Sequence, residues 1–120
     1  MNERRLKAAV VGAGPHGLRI IGVLAEMPGI ELTAVVDRRA EALAAAALPA
    51  GVARLESSDA LFARGDIDLL AIATNGPSHA PLALAAMKAG VRRLMIEKPM
   101  ACSLAECDAI IEQAAATGTR

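Results

Sequence analysis

The sequence predicts a doubly wound α/β domain: a parallel sheet of about five strands with helices on both faces. Three observations predict it. Strand and helix signals alternate from one end of the chain to the other. The strand-like runs are apolar enough to be covered on both faces, as parallel strands are. Glycine or proline closes most segments, which leaves short connections suited to right-handed crossovers.

Taken in order, Leu6–Val11 is a short apolar run with valines at its end, closed by glycine, and reads as a buried strand. Residues 15–27 carry Leu18, Ile21, Leu24 and Ala25 at helical spacing and stop at Pro28-Gly29. Ile30–Val36 reads as the second strand, ending at Asp37. Residues 39–47 are alanine-rich and helical, ended by Pro49 and Gly51. A weak third strand is expected at 52–56, and Ser58 can cap a short helix over 59–64. Residues 68–73 are nearly all Leu, Ile and Ala, a strand buried on both faces. Ser78 is expected to cap a helix over 79–89, with Pro81 in its first turn and Gly90 past its end. Residues 91–96 form a fifth strand, interrupted by Arg92 and Arg93. Ser103-Leu104-Ala105-Glu106 is a capping box opening a helix to about 116.

Composition narrows the partners. The 120 residues suit one domain, spanning 1–120. Phe62 is the sole aromatic residue, so the core is aliphatic and Met87, Met95 and Met100 are expected to help fill it. A domain of this size buries only about 65% of its unfolded surface, which makes its stability modest. Thirteen basic and thirteen acidic side chains balance, which argues against nucleic acid or an anionic membrane as the main partner. RNA-binding sheets also stack bases on aromatic residues, and one phenylalanine is too few. No apolar window approaches a membrane span, and the charged start, Met1 to Arg5, leads into an apolar run too short for a signal peptide. Cys102 and Cys107, five apart in a segment read as helix, point to different faces, so a disulfide or metal clip is not expected. Two reduced thiols suit a cytoplasmic protein.

The chemistry begins at Gly12-Ala13-Gly14-Pro15-His16-Gly17, which matches G-x-G-x-x-G. Alone the pattern is weak, since the chain has ten glycines. Its context is strong, because it follows a buried strand and opens a helix, where peptide N–H groups and the helix dipole meet a pyrophosphate. Gly12 allows the tight turn, Gly14 lets phosphates approach the backbone, and Gly17 lets helix pack on strand; Pro15 and His16 fill the variable positions. Asp37 is an independent sign, lying 20 residues after Gly17 at the end of the second strand, where a carboxylate accepts hydrogen bonds from adenosine ribose hydroxyls. A carboxylate there repels a 2′-phosphate and favours NAD. Arg38 and Arg39 keep NADP open, because guanidinium groups beside the ribose can receive that phosphate or stack on adenine.

Two further motifs, Thr74-Asn75-Gly76-Pro77-Ser78-His79 after the fourth strand and Glu97-Lys98-Pro99 after the fifth, complete a pattern. With the glycine loop, in this order, they resemble the N-terminal NAD(P)-binding Rossmann domain of the glucose–fructose oxidoreductase / inositol dehydrogenase (Gfo/Idh/MocA) family, over roughly 7–116. One departure is visible: Asn75-Gly76-Pro77 replaces the family's Pro-Asn order after the threonine. The resemblance implies that Thr74, Asn75, His79 and Glu97 face the cofactor. It also implies that Lys98 reaches the substrate and assists the proton transfer accompanying hydride movement. His79 is expected beside the cofactor at a helix start rather than as a base.

By the same resemblance the chemistry is hydride transfer between a nicotinamide cofactor and a hydroxyl or carbonyl of a sugar- or polyol-like small molecule. Family members usually continue into a second α/β domain that holds most of the substrate pocket. Here the sequence ends at Gly118-Thr119-Arg120, where a helix cap should lead into a sixth strand, so the substrate domain is expected to be absent. The alternative is a dinucleotide-binding module without turnover of its own, a sensor or a subunit completed by another chain. A sheet edge left unpaired would also invite a homo-oligomer.

Overall fold

The computed structural model describes residues 4–120; Met1, Asn2 and Glu3, part of the charged start, lie outside the described residues. Strand β1 (Leu6–Val11) forms where the sequence is most continuously apolar, and its last four residues are buried. It pairs in parallel with β2 (Ile30–Val36) on one side and β4 (Leu69–Ile72) on the other. The short β3 (Ala53–Leu55) continues the sheet beyond β2, and β5 (Arg93–Ile96) beyond β4, giving the all-parallel order β3-β2-β1-β4-β5. Helices α1 (Pro15–Glu26), α2 (Ala40–Ala45), α3 (Ser58–Arg64), α4 (Gly76–Lys88) and α5 (Leu104–Thr117) alternate with the strands. The doubly wound α/β fold read from the sequence is the fold of the chain.

The pleat decides which helix packs where. Ala8 and Val10 face one way and meet Ile21 and Leu24 of α1 and Leu43 of α2. Ala9 and Val11 face the other way and meet Leu61 of α3, Ala83 and Met87 of α4 and Ile110 of α5. Small alanines on the central strand let the helices approach closely on both faces. The register of β1 on β2 slips once, between Ala8 and Ala9, because Thr33 is an extra residue without a partner across the pair. Its hydroxyl donates to the Ala8 carbonyl at 3.2 Å. The bulge is why Leu32 and Val35 share a face although three positions separate them.

Several expectations are corrected. The cap of α3 is Ser57, not Ser58: Ser57 is extended and its Oγ accepts from the Ala60 amide, while Ser58 is already helical. Helix α4 begins at Gly76, three residues before the expected start, so Pro81 lies in its interior and Ser78 is not the cap. Pro77 in the first turn supplies a preset helical φ that starts the helix early. Met95 and Met100 are exposed; only Met87 of that trio is in the core, because Met95 sits on an edge strand and Met100 in the turn after it. Cys102 precedes α5 instead of lying in it, and both thiols are free. The capping box forms as read, with Ser103 Oγ accepting from the Glu106 amide, although Glu106 reaches back to the Cys102 N–H. After α5, Gly118 closes the helix at φ 74°, and Arg120 bonds into the ladder beside β5: its N–H donates to Arg92 at 2.9 Å and its carbonyl accepts from Leu94 at 2.8 Å. No helix among the described residues is long and apolar enough to cross a membrane.

Candidate functional site

Strand order reverses direction at β1 and β4, and connections leave these two strands toward opposite sides. Their carboxyl ends therefore open a crevice, the position where α/β sheets receive ligands. It has a volume of about 740 Å³ and is lined by Gly12, Gly14, Asp37, Arg38, Arg39, Thr74 and Asn75, with Glu56 to Ser58 from the end of β3 and Ser78, Pro81 and Leu82 from α4.

The three glycines of the loop are small for different reasons. Gly12 has φ 109°, and a Cβ there would stand 2.5 Å from the Ala73 carbonyl oxygen. A Cβ on Gly17 would stand 1.8 Å from the Gly12 carbonyl oxygen, which no repacking relieves. Gly14 is different. Its φ is −78°, open to any residue, and the nearest atom to an added Cβ is Arg39 Nη2 at 3.5 Å. The fold itself does not need glycine at 14; the space kept free is the crevice. Gly14 is also the N-cap of α1 without a side-chain cap, and Pro15 has no N–H, so the first-turn amides of Gly14, His16 and Gly17 have no intrahelical acceptor. Free amides, a helix dipole and an uncrowded backbone fit a diphosphate.

Asp37 follows β2 at one side of the crevice and is 7% exposed. One carboxylate oxygen accepts from the Ala13 amide at 2.8 Å and from Arg39 Nη2 at 3.1 Å. The other accepts from the Arg39 amide at 2.8 Å and Nε at 3.2 Å. The Arg39 guanidinium, helped by the two backbone N–H groups, holds the carboxyl down at about 2, against the opposing effect of burial. Asp37 is thus an anion at neutral pH, tied to the glycine loop and covered by a side chain that is itself 60% exposed.

On the opposite side, Thr74 and Ser78 hydroxyls share a hydrogen bond of 2.5 Å, and Ser78 also donates to the Asn75 carbonyl at 2.8 Å. The Glu97-Lys98-Pro99 turn follows β5; Glu97 N–H donates to Ile72 at 2.9 Å, and the Lys98–Pro99 bond is cis. Pro99 rests on Gly76, where an added Cβ would lie 3.5 Å from Pro99 Cγ and 3.4 Å from Cys102 Sγ. His79 is fully buried, with Nδ1 2.6 Å from the Pro99 carbonyl oxygen and Nε2 2.9 Å from that of Thr74. Both partners of the ring are carbonyl oxygens, which only accept.

Of the expected site residues, Gly12, Gly14, Asp37, Arg38, Thr74 and Asn75 line one crevice. Gly17 is buried beneath the loop, and Pro15 and His16 are exposed at the start of α1. Glu97 and exposed Lys98 stand at the end of β5, outside the crevice lining. His79, expected beside the cofactor, lies in the interior with its ring turned to backbone. The lining segment after β3, Glu56 to Ser58, was not anticipated; its position at the carboxyl end of a parallel strand was the available signal.

The model of an oxidoreductase family with an NAD-binding Rossmann fold, the GFO_IDH_MocA family, matches residues 6–120. Among curated relatives, the chain is 32% identical over 94% of its length to 4-carboxy-2-hydroxymuconate-6-semialdehyde dehydrogenase of Sphingobium sp. strain SYK-6, covering 36% of that protein. It is likewise 32% identical over 96% of its length to inositol 2-dehydrogenase 3 of Saccharopolyspora erythraea, covering 34% of it. A crystal structure of the WlbA dehydrogenase from Bordetella pertussis, in complex with NADH and UDP-GlcNAcA, superposes with a TM-score of 0.89 at 29% identity, over 98% of this chain and 36% of that one. The chain thus spans about a third of the length of these relatives. A family match over nearly every residue, joined to a glycine loop and acidic strand end at the switch point, places this chain in the oxidoreductase family with an NAD-binding Rossmann fold.

Proposed function

We propose that the chain is the dinucleotide-holding part of an oxidoreductase acting on a hydroxyl or carbonyl of a sugar- or polyol-like molecule. The observation that carries the reading is Gly14, a glycine the fold does not require, at the mouth of a helix facing a crevice. In this reading the amides of Gly14, His16 and Gly17 hold the diphosphate, and Asp37 accepts from the adenosine ribose hydroxyls after Arg39 withdraws from it. Arg38 and Arg39 then flank the adenosine and leave NADP within reach beside NAD. Thr74 and Asn75 line the nicotinamide side, with Glu97 next to them at the end of the adjacent strand.

A bound nicotinamide cofactor would supply the hydride. Lys98, exposed at the end of β5, is the group that would hold or move the substrate proton. The sugar or polyol class rests on the relatives, among them an inositol dehydrogenase and a D-apiose dehydrogenase. We place the substrate wall in the part of such proteins that this chain does not span. Calorimetric titration of the purified chain with NADH tests the reading. Saturable heat is expected; none at millimolar cofactor would overturn it.

A further inference from the structure

Among the described residues, one buried polar side chain lies outside the crevice lining and is not used by the cofactor reading. His79 is fully buried on α4, yet both its ring nitrogens sit within hydrogen-bonding distance of carbonyls from two different segments. The Thr74 carbonyl belongs to the turn leaving β4, which lines the crevice. The Pro99 carbonyl belongs to the turn leaving β5, one residue beyond Lys98. The two turns are 25 residues apart in sequence, and the imidazole spans them (99 − 74). A hydrophobic residue would fill the same space but would offer neither carbonyl a donor. Selection of an imidazole here is explained by the bridge.

The bridge has a side. In this strand order β1, β2 and β3 serve the adenosine half of a dinucleotide, and β4 and β5 the nicotinamide half. His79 touches only the latter; Gly14 and Asp37, on β1 and β2, share no hydrogen bond with it. We infer that His79 is a positioning residue for the nicotinamide half: it fixes the Thr74 turn against the Lys98-Pro99 turn, and so sets where Lys98 stands relative to the ring-bearing end of the cofactor. The inference rests on the dinucleotide reading above. Both ring nitrogens face backbone carbonyls, so His79 acts through the two turns it joins and not on the substrate.

The test compares two ligands on one protein. NADH engages both halves of the crevice, whereas ADP engages only the adenosine and diphosphate half. For His79→Leu, NADH affinity should fall about tenfold while ADP affinity stays within about twofold of wild type. A general loss of structure would weaken both ligands alike. If His79→Leu does not fold, as read by far-ultraviolet circular dichroism, His79→Gln takes its place: it keeps an N–H donor but cannot span both carbonyls, and the same split between NADH and ADP is expected. Equal weakening of both ligands, or unchanged NADH affinity in a folded variant, overturns the inference while leaving the cofactor reading intact. A wild-type chain that binds neither ligand overturns that reading, and this inference with it.

Discussion

Replacing Gly14 with alanine should separate binding from folding. The added methyl meets nothing closer than Arg39 Nη2, at 3.5 Å, and φ of −78° suits alanine. Two effects on stability oppose each other. Alanine narrows the unfolded ensemble, which stabilises by about 0.4–1 kcal/mol. As the N-cap of α1 it is a poorer residue than glycine, at a cost of roughly 0.5–1 kcal/mol. They nearly cancel, so the melting temperature should move by no more than about 4 °C. Binding does not cancel. The methyl projects where a diphosphate would meet the Gly14 amide, and loss of one hydrogen bond to a charged group costs about 1.5–3 kcal/mol, tenfold or more in affinity. Gly17→Ala is the control with the opposite signature: its methyl would stand 1.8 Å from a backbone oxygen, so helix and strand must part. Overpacking of that kind costs about 1–3 kcal/mol or more and should lower the melting temperature or prevent folding. Thermal melts and NADH calorimetry on both variants read the two axes. A folded Gly14→Ala chain with wild-type NADH affinity would refute the placement of the diphosphate.

Two more outcomes follow from Asp37. Its carboxyl sits at about 2 in the fold against an ordinary 3.8, so it stabilises the protein above pH 4 and loses that contribution as pH falls toward 2. The shift corresponds to about 2 kcal/mol, reduced to about 1–2 kcal/mol because its main partner Arg39 is exposed to solvent. Asp68, lowered by Arg4 and the Lys7 amide, adds to the same trend. Melts of wild type and Asp37→Asn between pH 6 and pH 2 should converge at the acid end; a gap that does not vary with pH contradicts the pairing. Arg39→Ala removes the cation over that carboxylate and leaves the negative charge to meet a 2′-phosphate unaided. Its preference should move toward NADH over NADPH by about tenfold, read by fluorescence titration with each cofactor; an unchanged ratio would show that Arg39 has no part in it.

The fold was legible because its signals are local. Five apolar runs, the glycine loop and the acidic end of β2 each declare themselves within a few residues, and β1, β2 and α1 appear close to where periodicity places them. What was missed depends on geometry that a window of sequence does not contain. Ser57 and Ser58 are equally good caps as letters; the extended φ and ψ at 57 chose between them. The early start of α4 turns on Pro77, whose preference for a first turn outweighed the better capping chemistry of Ser78. Met95 and Met100 read as core until β5 proves to be an edge strand. His79 shows the limit most clearly, since one of its partners is 20 positions away and both are backbone carbonyls, which carry no residue signature.

The bonds that Arg120 makes along β5 have a practical side. Whatever is attached after that residue begins its path already aligned with β5, through the bonds to Arg92 and Leu94. A purification handle or reporter fused there would be steered onto the rim of the sheet, near Met95 and the turn carrying Lys98, where it could mask the very surface under assay.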